Sequence, residues 1–189
     1  MKKYKLTNET IVHLGFTLYR IEALMDFSDV KAGDKGGFVQ SDNNLSQLGN
    51  AWVYGNAKVY GNAKVYGNAF VCGYAEVYDN SEVCGNAEVC GDAFVCDYVK
   101  VCGNASVYGK VEVCGDAKVY KNSDYIVLKN WWSSGRYFTW TRSNNMWKVG
   151  CFYGNGEELI KKAYADSEES GREYERVVKY VESILADEF

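Results

Sequence analysis

From Val53 to Asp124 the chain is written in units of six, twelve hexapeptides in succession without an insertion or a deletion. Position one is Val in every unit, from Val53 and Val59 through to Val113 and Val119, and position five is Ala, Ser or Val. Position three is mostly Gly and position four mostly Asn or Asp, as in the opening unit VYGNAK. These are the residues that enter left-handed or tight backbone angles at least cost, so each unit carries a corner. A repeat this small cannot bury its own apolar face, and it becomes stable only by stacking on its neighbours.

Between corners the residues read outward, inward, outward, as in Lys58, Val59 and Tyr60, which is the alternation of a strand with one buried face. Coils stacked at about 4.8 Å pair their backbones and pile the valines into one dry interior. Each fully buried Val is worth roughly 1.5 to 3 kcal/mol. The stack leaves open sheet edges at both ends, which the flanking segments have to cover. Zero prolines and 19 glycines suit a chain whose turns are made by Gly and Asn.

The unit resembles the hexapeptide repeat of left-handed parallel β-helix proteins, where an aliphatic residue is followed four places later by Ala, Ser or Val. That resemblance implies three hexapeptides per coil, hence four coils in the unbroken stretch, with QLGNAW (47–52) starting one earlier. The segment LYRIEALMDFSDVKAGDKGGFVQSDNNLSQLGNAWVYGNA resembles the N-terminal part of bacterial and phage proteins built on GNA-type repeats. SGRYFTW and GCFYGNGEELIKK resemble a C-terminal module carried by phage and prophage members of that group. The expected fold is mainly β: a β cap over 1–46, a left-handed β-helix over 47–124 and an α+β module over 125–189.

With three faces, residues 18 apart form outward columns. One face begins with Trp52 and Tyr54 and continues with Phe70, while Phe94 stands on the second; these four are the expected oligomer or partner surface, since exposed aromatic patches mark contacts. The third face alternates Lys64, Glu82, Lys100 and Lys118 and reads as solvated. Six of the seven cysteines share position two, in vertical pairs Cys72 with Cys90, Cys84 with Cys102 and Cys96 with Cys114. Parallel side chains in register are poor disulfide geometry, so reduced thiols are expected.

After Ser123 the period is lost. YIVLKN, RYFTWTRS and MWKVGCF read as strands, followed by helices over 157–165 and 172–185, the second with Tyr174, Val177, Val178, Val181, Ile184 and Leu185 on one face. Here Arg136, Tyr137, Trp140 and Arg142 cluster near Trp131, Trp132 and Lys148, and arginine beside aromatic rings can hold a phosphate and stack a base. Strand alternation puts Phe138, Trp140 and Arg142 on one face and Tyr137, Thr139 and Thr141 on the other, so half of this cluster is expected in a core.

Catalytic chemistry is poorly supported. Many left-handed β-helix proteins resemble one another as acyltransferases with a histidine base beside an excursion loop; here the sole histidine is His13, and the coils have no such loop. One histidine cannot supply the three that γ-class carbonic anhydrases place on zinc. No phosphate-cradling or nucleophile motif is present, and no cofactor or metal is expected. A formal charge of −4 disfavours nucleic-acid binding through charge, and no run reaches the roughly 20 apolar residues of a membrane span. The expectation is a soluble, cytoplasmic, non-enzymatic, homo-oligomeric scaffold. It would bind a host protein or a small nucleotide and so inhibit bacterial immunity; an acyltransferase with an inter-subunit site around His13 is the alternative.

Overall fold

A computed structural model describes residues 2–130 and 134–186. The chain forms two compact units, 1–124 and 125–189. The first is a parallel β-solenoid of about five turns. Strands β1 (Tyr4–His13), β2 (Phe16–Ala23) and β3 (Lys35–Val39) lead into twelve short strands, β4 to β15, which begin every six residues from Trp52 to Lys118.

Those short strands pair with neighbours 18 residues away, in register, on three sheets. β13, β10, β7 and β4 make one, β15, β12, β9 and β6 another, and the third runs β1, β2, β3, β5, β8, β11, β14. Val53, Val71, Val89 and Val107 stack in one column, and every position-one valine is essentially inaccessible to water. The small residues at position five are what let the chain turn tightly around that interior: Ala57, Ala87 and Ser81 are completely buried. At the corners, Asn50, Asn68, Asn86 and Asn104 hand an amide hydrogen bond from coil to coil at 3.0–3.2 Å.

The N-terminal segment covers the solenoid's first edge, and each face is closed differently. On one, β3 adds a parallel rung beneath β5, so the solenoid begins at Phe38–Val39, ahead of Gln47, where the hexapeptide pattern starts. On the second, the buried Asn44 donates to the carbonyls of Gly61 and Ala63, and Leu45 bridges Val65. On the third, the buried Lys3 ammonium donates to Gly49 and Ala51 carbonyls. Burial lowers the Lys3 pKa to about 8. Carbonyls that would face a missing coil therefore find donors, as buried backbone groups must.

Two of the three cysteine pairs are disulfides, Cys72–Cys90 and Cys84–Cys102, which corrects the expectation of reduced thiols throughout. The coil spacing sets Cα–Cα at 4.6 Å, inside the bridging range, and parallel side chains reach each other by leaning along the ladder.

The second unit is an antiparallel sheet of β16 (Tyr125–Lys129), β17 (Tyr137–Thr141), β18 (Met146–Val149) and β19 (Phe152–Gly154), in that order, with helices α1 (Gly156–Asp166) and α2 (Glu168–Ala186). Phe138, Trp140, Trp147 and Val149 on one sheet face form a core with Leu159, Ala163, Tyr174, Val177, Val178 and Val181 of the helices. Asn155 and Glu158 cap α1 reciprocally. Helix α2 starts four residues before the expected Arg172. Ser167 caps it, and Gly171 is needed inside it because a Cβ there would lie 2.2 Å from the Tyr164 ring.

Thiol titration of denatured, unreduced protein is expected to find three reactive cysteines, Cys96, Cys114 and Cys151. Seven would contradict both bridges.

Candidate functional site

The residues expected to form a ligand site on the second unit converge only in part. Arg136 and Arg142 flank opposite ends of β17, roughly 20 Å apart along an extended strand. Trp140 is buried in the helix-facing core, where its indole N–H donates to Asn145 Oδ1 at 2.8 Å, and the Arg142 guanidinium lies 5.9 Å from its ring. On the other sheet face, Tyr137 stands opposite Lys129, whose ammonium is 5.7 Å from the ring. Lys148 donates to the Gly150 carbonyl at 2.6 Å, and the Arg136 side chain runs past the same glycine. Arg136, Tyr137 and Lys148 thus gather near the turn after β18, while Trp140 and Arg142 belong elsewhere. Trp131 and Trp132 lie outside the described residues.

A different concavity marks this unit. Val127, Leu128 and Lys129 of the edge strand β16 and Glu173, Arg176, Val177 and Tyr180 of α2 line a groove of about 780 Å³. Its floor is apolar and its rim charged, with Arg176 paired to Glu173 at 2.8 Å. Tyr180 is more than half exposed. The helical periodicity showed Val177 but could not show that β16 would lie beside it.

On the solenoid, the aromatic surface is smaller than its sequence promised. Trp52, expected outside, is buried, because Tyr4 and Phe27 of the N-terminal segment pack edge-on against it with ring centroids at 6.1 and 5.3 Å. Tyr54 is half-buried and donates to Asp29 at 2.7 Å, with Phe70 edge-on to it at 5.9 Å. Phe94 is half-buried between Glu76 and Glu112 on its rungs.

A close group of titratable side chains surrounds Glu76, which sequence spacing gave no reason to connect with His13. Glu76 is 7% exposed. The hairpin formed by β1 and β2 reaches along the solenoid face and brings His13 Nε2 within 2.8 Å of Glu76 Oε2. The same oxygen accepts from the Tyr60 hydroxyl at 2.9 Å, and Oε1 accepts from Lys58 at 3.0 Å. Beside them Leu18, Phe38 and Tyr60 form a small apolar cluster, with Phe16 tilted over Tyr60 at 5.4 Å. Burial pushes the Glu76 pKa up, but the hydrogen bonds from Lys58, His13 and Tyr60 outweigh it and hold the carboxyl below its ordinary value. This is a staple: a carboxylate saturated by three donors from two segments.

No protein-family model matches the chain, and no curated protein matches it.

Because the folded pKa of Glu76 is depressed, the stability it contributes is complete above the ordinary carboxylate range and is lost as pH falls through the folded value. Glu76→Gln is therefore expected to unfold at lower urea than the parent at neutral pH, with the gap closing as pH falls below the ordinary carboxylate range. A gap independent of pH would show that the ionised carboxylate contributes nothing.

Proposed function

We propose that this chain is a non-enzymatic binding scaffold, a left-handed β-helix whose second unit engages a protein partner through the groove between β16 and α2. The observation that carries the reading is the state of His13. Its Nε2 is occupied by Glu76, its ring lies edge-on to Tyr60 at 5.6 Å, and Glu76 is itself saturated by Lys58 and Tyr60. With Nε2 held by Glu76, only Nδ1 is left to act as a general base, and an acyltransferase also needs a loop to hold its coenzyme, whereas these coils run from Val53 to Asp124 without an insertion. The acid beside His13 is what an acyltransferase reading can draw on; the use of that acid as a structural staple speaks against it.

A protein partner is favoured over a nucleotide because the separation of Arg136 from Arg142 makes no phosphate clamp, whereas an apolar floor with a charged rim suits a protein side chain. The biological setting we propose is that of the phage and prophage proteins its flanking segments resemble, with the scaffold acting as a homo-oligomer against a defence protein.

Calorimetry with coenzyme A and with cyclic nucleotides is expected to show no binding. Capture from host extract is expected to recover one protein with the parent chain and to lose it with Arg176→Glu or Tyr180→Asp. Acyl transfer abolished by His13→Ala, or capture unaffected by both groove variants, would overturn the reading.

A further inference from the structure

The third cysteine pair differs from the other two in a way the repeat makes legible. Cys96 and Cys114 occupy the same unit position and the same 18-residue interval as the bridged pairs, yet they are thiols, both buried. The difference lies at the corner. Each bridged cysteine is followed by glycine, namely Gly73, Gly91, Gly85 and Gly103, whereas Cys96 is followed by Asp97. Asp97 keeps the left-handed corner, with φ 58° against 70° at Gly85 and Gly103, so the turn is retained and a carboxylate is added.

That carboxylate is held in place. Asp97 Oδ2 accepts from the Gly115 N–H at 2.8 Å and lies 3.8 Å from Cys96 Sγ. Cys96 Sγ also lies 3.7 Å from the Val113 carbonyl, and Tyr78, stacked on Tyr60 at 5.2 Å, occupies the preceding rung of the same column. Cys96 Sγ, Cys114 Sγ and a carboxylate oxygen of Asp97 all lie within 4.8 Å of one another, and no other group of three His, Cys, Asp or Glu ligand atoms is drawn together in this way among the described residues.

We propose that Cys96, Asp97 and Cys114 bind one zinc-class divalent cation, clipping the β11 coil (Phe94–Val95) to the β14 coil (Glu112–Val113) where the other pairs use a disulfide. Two sulfurs and one carboxylate are a zinc donor set, and thiolates discriminate against magnesium and calcium. Tetrahedral coordination with Zn–S bonds of about 2.3 Å separates its ligands by roughly 3.8 Å, so side-chain rotation alone closes the site. Water completes the coordination on the exposed Asp97 side. Binding releases the two thiol protons to solvent, so affinity rises with pH. The Gly115 N–H acts as an outer-shell donor to the Asp97 carboxylate.

The test uses the full chain with its two disulfides intact, under argon, titrated with Co²⁺ as the probe and then with Zn²⁺. The expected result is one cobalt per chain with a thiolate-to-cobalt charge-transfer band, displaced by zinc. Cys96→Ser and Cys114→Ser abolish the band, and Cys151→Ser leaves it intact. Asp97→Gly, which installs the corner residue of the other pairs and so folds, weakens cobalt binding at least about tenfold. Absence of the band while Cys96 and Cys114 remain titratable would overturn the proposal. So would a band lost in Cys151→Ser, equal affinity in Asp97→Gly, or recovery of Cys96 and Cys114 as a third disulfide that excludes cobalt.

Discussion

Parallel pairing at an interval of 18 residues sets each inward valine on the valine of the coil before it, and the dry column that results is what the rest of the solenoid depends on. The strands β4 to β15 are only two to four residues long, too short to persist alone. What holds them is the repetition: every coil supplies a backbone ladder and an apolar floor for the next, so stability is a sum of neighbour interfaces. The corners obey the same constraint, since a turn that changed length once would throw every later valine out of its column.

Repetition also explains which parts of the fold were legible in sequence. Inward positions follow from the period alone, and Val53 through Val119 are buried as the pattern requires. Outward positions do not, because their surroundings are set by segments far away in the chain. Trp52 was read as surface and is covered by Tyr4 and Phe27. His13 and Glu76 are 63 residues apart and meet only because β1 and β2 fold back along the solenoid. The cysteine columns were visible, but whether two sulfurs bridge depends on rung spacing and side-chain lean, and the argument from parallel direction missed that lean.

In the second unit the same contrast holds. Alternation on β17 correctly divided Phe138 and Trp140 from Tyr137, and the helical stripe of α2 named that helix's share of the core, Tyr174, Val177, Val178 and Val181. The candidate cluster converged only in part, for a reason that alternation contains but proximity in sequence hides: Arg136 and Arg142 bracket a strand, and a strand separates its ends. The groove beside β16 needed the sheet order, which no local pattern encodes. Sequence thus reads the periodic core of each unit well and reads poorly the surfaces where function would reside.

The central claim is that the position-one valines share one interior on which the whole stack relies. Its most direct test compares urea unfolding of Val89→Asp, in the middle of its column, with that of Tyr74→Asp at an exposed corner. A carboxylate in the valine column is expected to cost at least about 4 kcal/mol or abolish folding, against a change within about 0.5 kcal/mol at Tyr74. Equal stability of the two variants would mean that the valines do not share a dry core, and the account of the solenoid would be wrong.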